Sequence, residues 1–279
     1  MISIRQALHE ALAALTSAGT DTPTLEAELL LCEAAGIDRT AVIAWPERTL
    51  EPAQYARLNA LLGRRIAGEP IAYILGRREF WGLPLDVGRG VLIPRPDTEL
   101  LVEITLAALP AQQPLLCADL GTGSGAVACA LAHERRRWTL IGIERSADAL
   151  AIAAANAERL RLDNLYLLQG DWLTAIAPNG LDAIVANPPY VCNDDPHLRQ
   201  GDLRFEPSAA LTAGSDGLAA VRAIVRQAPD RLRRPGWLAV EHGWDQGDAV
   251  RALFEQAGFD RVRTHRDLPG HERVTSGFA

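Results

Sequence analysis

Leu115-Leu116-Cys117-Ala118-Asp119-Leu120-Gly121-Thr122-Gly123-Ser124-Gly125 is the stretch on which the fold turns. An apolar run of strand length ends in a glycine loop, and the Ala-rich residues that follow, about 125–134, suit a helix. Strand, loop and helix in that order place a ligand at the carboxyl end of the strand. The spacing is Gly-x-Gly-x-Gly, not the Gly-x-Gly-x-x-Gly of dinucleotide-binding folds, and no Lys follows to make a P-loop. The loop offers backbone that a ligand can approach closely.

The surroundings repeat the pattern. Residues 138–143 read as a second strand, followed 23 residues after Gly121 by Glu144, whose carboxylate can accept from both hydroxyls of a ribose. A helix at 146–160 leads to a third strand at 165–169, then Asp171-Trp172. Trp172 presents a face for a planar base, and Asp171 an acceptor for an exocyclic amine. Strand 181–186 runs into Asn187-Pro188-Pro189-Tyr190; a helix at 216–232, a strand at 237–241, a helix at 245–257 and strands at 261–267 and 273–278 complete the series. Such alternation predicts a mostly parallel seven-stranded sheet covered by helices. The short link between the last two strands predicts an antiparallel edge hairpin.

Asn187-Pro188-Pro189-Tyr190 carries its own chemistry. Two prolines fix the backbone and donate nothing, so the Asn187 side-chain oxygen and the Pro188 carbonyl form a pair of rigid acceptors. An –NH2 group has two donors for such a pair. Tyr190 can stack on a planar amide. An amide nitrogen is a poor nucleophile; two acceptors orient it and favour the positive charge that develops during attack. A sulfonium methyl held about 3–3.5 Å away and in line completes the requirement, with no metal or nucleophilic side chain.

Residues 1–76 read as a helical domain. Ile4, Leu8, Leu12 and Leu15 recur at helical spacing; Thr22-Pro23 opens a second helix that Gly36 ends; a third starts near Pro52 and carries Tyr55, Leu58, Leu61, Leu62 and Ile66. Residues 77–93 suggest a hairpin linker turning at Pro84, and 94–279 the second domain.

The 279 residues carry 28 basic side chains, all Arg, against 35 acidic ones, a net charge of −7. The missing Lys excludes Schiff-base chemistry. The acidic balance argues against direct nucleic-acid binding. Arg135-Arg136-Arg137, the tight basic run, suits a solvated helix end. Cys32, Cys117, Cys129 and Cys192 fit no zinc spacing and read as reduced thiols. No signal peptide or membrane span is expected, so the expected location is the cytoplasm.

The glycine loop, Glu144 and Asn187–Tyr190 together resemble class I S-adenosylmethionine-dependent methyltransferases acting on a planar –NH2. Gly68–Gly76, Glu79–Gly82, Leu92–Glu99, Arg204–Pro207 and Glu241-His242-Gly243 narrow the resemblance to the bacterial peptide chain release factor glutamine methyltransferase family (PrmC/HemK), over nearly the whole chain. The resemblance implies a Rossmann-like methyltransferase domain behind a helical domain that binds a class I release factor. It implies N5-methylation of the glutamine of a Gly-Gly-Gln motif, with S-adenosylmethionine as donor and S-adenosylhomocysteine as product. By position, Gly121, Thr122, Gly123, Ser124 and Gly125 would hold the methionine end of the cofactor, Glu144 the ribose and Trp172 the adenine, with Asn187 nearby. Asn187, Pro188, Pro189 and Tyr190 would hold the substrate glutamine. The family often has Asp at the position of Glu144. No metal, nucleic acid or membrane partner is implied, and a monomer is expected.

Three rivals differ in substrate or class. A nucleic-acid amino methyltransferase would use the same Asn187–Tyr190 loop but calls for a basic surface. A ribosomal-protein glutamine methyltransferase would share the fold; Arg95–Glu99 and Phe205-Glu206-Pro207 favour the release factor enzyme. A non-catalytic binding module needs no intact substrate loop.

Overall fold

The computed structural model describes residues 2–279, which divide into two compact units. The first comprises the residues up to Gly76 together with Arg199–Phe205. Its helices are α1 (Ile4–Ser17), α2 (Pro23–Ala35), α3 (Arg39–Ala44), α4 (Pro52–Ile66) and α5 (Ile71–Leu75). Starts are set by capping chemistry: the Ser3 hydroxyl accepts from Gln6 N at 3.2 Å, Asp38 from Ala41 N at 2.7 Å, and Pro23 and Pro52 occupy first helical positions. Ile4, Ala7, Ala11 and Leu15 of α1 pack with Leu30 and Leu31 of α2 and Leu58 and Leu62 of α4. Each fully buried Leu contributes about 1.5–3 kcal/mol. Leu8 and Leu12 flank this seam half-buried, so the expected leucine stripe is offset onto small alanines that let the helices approach.

The α4 face differs from expectation at its end. Ile66 is exposed while Arg65 is buried. The reason is an ion-pair cluster: Arg65 Nε meets Glu26 Oε2 at 2.8 Å, and Nη1 meets Asp202 Oδ1 at 3.0 Å. Arg204 donates to the carbonyl of Ala67 at 3.0 Å. These bonds tie Arg199–Phe205 to the helices.

The second unit opens with β1 (Arg77–Phe80) and β2 (Leu83–Asp86), an antiparallel hairpin. Its turn is Trp81-Gly82, not Pro84. Both turn residues have positive φ, 54° and 68°, the geometry of a two-residue hairpin whose twist matches its strands. Pro84 lies within β2 opposite Glu79. Phe80, Leu83 and Leu85 join the core of the second unit, so this hairpin is packed into that unit.

The remaining elements are α6 (Glu99–Ala108), β3 (Leu116–Leu120), α7 (Ala126–Glu134), β4 (Thr139–Glu144), α8 (Ala147–Arg159), β5 (Leu165–Gln169), β6 (Leu181–Ala186), α9 (Ala219–Arg231), β7 (Leu232–Glu241), α10 (Gly247–Gln256), β8 (Asp260–Arg266) and β9 (Glu272–Phe278). The seven-stranded order is β5-β4-β3-β6-β7-β9-β8, with β9 antiparallel to both β7 and β8. The parallel sheet and antiparallel edge are those the alternation predicts. Side chains alternate between two cores. Ala183 and Val185 face one with Leu101, Val127, Trp138 and Trp237; Ile184 and Ala186 face the other with Val221, Ile224, Leu238 and Phe254.

Register determines where the site lies. Leu120 of β3 pairs with Ile143 and with Ala186, Glu144 with Gln169, and Ala186 with Val240. The residues that follow these strands therefore emerge level at one sheet edge. Strand order reverses between β3 and β6, the switch point where open α/β sheets bind ligands.

Candidate functional site

Gly121, Gly123, Glu144, Asp171, Trp172, Asn187 and Pro189 line one cavity of about 590 Å³ at that edge. This volume is within the range of small-molecule sites. Thr122, Ser124 and Gly125 turn inward and build the loop from below. Thr122 Oγ1 donates to Asp119 Oδ2 at 2.6 Å, and the Ser124 carbonyl accepts from Asn156 Nδ2 at 2.9 Å. Gly125 has φ of 82°, a conformation L side chains rarely adopt, and a Cβ there would stand a tight 3.3 Å from both Cys129 Sγ and Ala153 Cβ, so glycine is favoured on both counts. At Gly142 beneath the loop, a Cβ would stand 2.8 Å from Leu167 and 3.1 Å from Thr122.

Glu144 Oε2 accepts from Gly123 N at 3.1 Å, and Oε1 from Ser146 N at 2.9 Å. One carboxylate thus clamps the glycine loop and the start of α8, and each oxygen keeps a lone pair for a ligand. The Trp172 ring lies close to Gly121, 3.5 Å from where a Cβ would project.

Asp119, at the root of the loop, is fully buried and also accepts from Ala128 N at 3.1 Å. Burial pushes its carboxyl up to about 6, against the pull of the Thr122 and Ala128 bonds and with a push from Glu144. The folded state therefore holds this proton more tightly than the unfolded chain, whose value is about 4. Its contribution to stability is full below pH about 4 and is lost as pH rises towards 6. Asp119→Asn is expected to flatten that decline in urea melts between pH 4 and 7, and curves parallel to wild type would contradict this.

Asn187 Nδ2 donates to Thr98 Oγ1 at 2.9 Å. The opposite end of the amide, Oδ1, accepts nothing from the described residues, and neither does the Pro188 carbonyl. Pro188 is buried and Pro189 half-buried. Tyr190 donates towards Glu241 Oε1 at 3.5 Å, while its backbone carbonyl accepts from Gln246 Nε2 at 3.1 Å. Burial and the Glu241 charge push the Tyr190 phenol well above its usual range, so it stays protonated.

Thr98, Glu241 and Gln246 were not candidates from sequence. Thr98 and Glu241 lie in quoted stretches, Arg95–Glu99 and Glu241–Gly243, but their convergence on Asn187 and Tyr190 is tertiary. Glu206 is a related case. Its buried carboxylate pairs with Arg95 and accepts from Ile93 N at 3.2 Å, holding the strand-like entry segment beside the cavity. His242 is structural: its ring bonds Thr275 Oγ1 and the Gly243 carbonyl, each at 2.9 Å. Arg135, Arg136 and Arg137 each donate to a backbone carbonyl. Cys117 and Cys129 are buried, and desolvation pushes both thiols up. Among the described residues no His/Cys/Asp/Glu group is arranged to hold a metal, and no helix is long and apolar enough to cross a membrane.

Comparison with known proteins places the chain. Residues 6–76 match the family model "PrmC N-terminal domain", and residues 97–201 match "Methyltransferase small domain". The release factor glutamine methyltransferase of Escherichia coli (strain K12) is 48% identical over 270 residues, 97% of this chain and 96% of that protein. That of Vibrio cholerae is 47% identical over 279 residues, 99% and 96% of the two chains. That of Pseudomonas aeruginosa is 49% identical over 259 residues, 92% and 94%. A methyltransferase structure from Pyrococcus furiosus superposes with a TM-score of 0.54 at 17% identity, over 77% of this chain and 96% of that one, a likeness of fold.

Proposed function

This chain belongs to the release factor glutamine methyltransferase family, and from that membership we propose that it methylates the side-chain amide nitrogen of the glutamine in the Gly-Gly-Gln motif of class I peptide chain release factors. S-adenosylmethionine supplies an electrophilic methyl on a sulfonium and leaves as S-adenosylhomocysteine. The observation that carries the reading is Asn187, whose amide NH2 is held by Thr98 while its oxygen has no partner among the described residues, lining one cavity with Glu144 and Trp172.

The residues present suit this donor. Gly121 and Gly123 admit its amino-acid end close to backbone, supported from below by Thr122, Ser124 and Gly125. Glu144 keeps acceptor capacity for two ribose hydroxyls, and Trp172 with Asp171 suits an aminopurine. Asn187 Oδ1 and the Pro188 carbonyl would each take one N–H of the substrate amide. Held so, the nitrogen is orientated towards the cavity and its developing positive charge is stabilised. Pro189 and Tyr190 would flank the planar amide, with the phenol anchored away from the reacting nitrogen by Glu241. The proton lost from nitrogen needs no strong side-chain base, because the cationic, still N-protonated methyl amide formed by the attack is strongly acidic and gives the neutral N-methyl amide on losing it. The helical unit is assigned to release factor recognition, the protein to the cytoplasm, and its working form to a monomer without metal, membrane or direct nucleic-acid partner.

Tandem mass spectrometry of a release factor incubated with the protein and S-adenosylmethionine tests this reading. One added methyl on the Gly-Gly-Gln glutamine side chain is expected. A methyl elsewhere, or none, would contradict it.

A further inference from the structure

We propose that Gln246 and Gly217 are positioning residues that fix the Asn187–Tyr190 loop from its far end, through the Tyr190 carbonyl; the proposal rests on the role given to that loop above. Pro188 and Pro189 have no N–H, so these residues cannot be tied down through a backbone donor. A rigid pair of acceptors serves the reaction only where the amide nitrogen is attacked in line. The loop therefore has to be held at its ends. Strand β6 holds the near end: Ala186, directly before Asn187, is paired with Leu120 on one side and Val240 on the other.

Gln246 holds the far end. Its half-buried side chain, at the start of α10, donates from Nε2 to the Tyr190 carbonyl at 3.1 Å and to the Asp216 carbonyl at 3.4 Å. Its Oε1 accepts from Gly243 N at 2.9 Å. All the partners are backbone groups of fixed character, one N–H and two carbonyls. The orientation of the Gln246 amide follows from them, since exchanging its ends would set NH2 against N–H and oxygen against oxygen. One side chain thus ties together the loop after β6, the turn before α9 and the turn between β7 and α10. The same peptide is held on its nitrogen side, where Val191 N donates to the Leu211 carbonyl at 2.9 Å. The peptide plane between Tyr190 and Val191 is therefore clamped at both its polar ends.

Gly217 closes in on the same carbonyl. Its φ is 71°, a conformation that L side chains rarely adopt. A Cβ there would overlap the Tyr190 carbonyl oxygen and stand 2.7 Å from Gln246 Nε2. The carbonyl and the Gln246 amide occupy the space that a side chain would need. A hydrogen bond and a steric fit, two independent observations, converge on one oxygen. Neither Gln246 nor Gly217 lines the cavity, so both act through the loop and not on the reacting atoms.

Loss of the clamp releases the Tyr190 end of the loop and leaves the cofactor side of the cavity, with Gly121, Gly123, Glu144 and Trp172, as it is. A misplacement of about 1 Å costs about 100-fold in rate. The acceptors on this loop act on charge that grows during attack, so the loss falls on kcat.

Three variants of the full chain test the clamp. Gln246→Met keeps the length and removes both ends of the amide. Gln246→Glu keeps the size and the acceptor for Gly243 N but turns a carboxylate oxygen towards the Tyr190 carbonyl. In both, kcat for release factor methylation should fall about 10–100-fold, with KM for the release factor and the S-adenosylmethionine dissociation constant within about threefold of wild type. Gly217→Ala should lower kcat in the same way by displacing the same carbonyl; if it also loses S-adenosylmethionine binding through misfolding, the two Gln246 variants decide alone. A merely structural role would lower donor affinity and kcat together. A readout without the release factor uses Tyr190-Val191, the one Tyr-Val pair in the sequence. Isotope labels on tyrosine carbonyl carbons and valine nitrogens give this peptide a single correlated NMR signal, whose carbonyl shift should move in Gln246→Met as the hydrogen bond is lost. A kcat within about threefold of wild type in both Gln246 variants, a loss of donor affinity equal to the loss in kcat, or an unmoved Tyr190 carbonyl signal would overturn the proposal. Wild-type protein that leaves release factors unmethylated would instead overturn the proposed function, while the carbonyl signal still decides the clamp.

Discussion

Asn187→Ala loses about 10²–10³-fold in kcat while binding S-adenosylmethionine within about threefold of wild type, by the cost of removing one preorganised acceptor or donor from a transition state, about 2.7–4 kcal/mol. The physical reason is that the Asn187 oxygen accepts nothing from the described residues and has its full acceptor capacity for the reacting amide. The charge it stabilises grows during attack, so the loss belongs mainly to kcat rather than to binding. The truncation also frees the Thr98 hydroxyl from its donor. Single-turnover methyl transfer and calorimetric titration of the donor separate the two effects. Near-normal turnover would remove Asn187 from the reaction.

Glu144→Ala produces the complementary split. Two hydrogen bonds from ribose hydroxyls to a charged acceptor are lost, together about 3 kcal/mol or more, which weakens S-adenosylmethionine binding about 100-fold or more. The same truncation leaves Gly123 N and Ser146 N without their present acceptor, so the glycine loop loosens as well. Glu144→Gln keeps one acceptor oxygen and should fall between wild type and Ala. Calorimetry on the three proteins checks the order. A dissociation constant for Glu144→Ala within about threefold of wild type would show that the donor does not use this carboxylate.

The sheet was readable because its signals are local. Each strand from Leu116 to Ala186 is a short apolar run bounded by polar or glycine punctuation, and α8 is an Ala-rich run behind a Ser cap. The positions of Gly121, Glu144 and Asn187 at strand ends followed from the same punctuation. Short elements were not readable. Helix α3 has six residues and α5 has five, too few for a helical period to show. The hairpin misled because Pro84 is a common turn residue, whereas the actual turn holds Trp81 at a φ that side chains rarely adopt. Strand β7 begins at Leu232, not at Trp237, since the Arg-Arg-Pro-Gly sequence at 233–236 hides its first half.

Long-range pairings were out of reach for a different reason. Asp202 reaches Arg65 across 137 positions of sequence, and nothing local marks Arg199–Phe205 as part of the helical unit. Glu241 looked like an ordinary strand-end carboxylate. Its place comes from register, which sets it level with Asn187, and from the Tyr190 phenol that approaches it to 3.5 Å.

The measurement that tests the central claim most directly is transfer from S-adenosylmethionine labelled in its methyl group. The acceptors, offered in parallel, are a class I release factor, the same factor with Gln→Ala in its Gly-Gly-Gln motif, and total RNA and DNA. Label on the unaltered factor alone is the predicted result. Label on nucleic acid, or equal label on the two factors, would contradict the assignment.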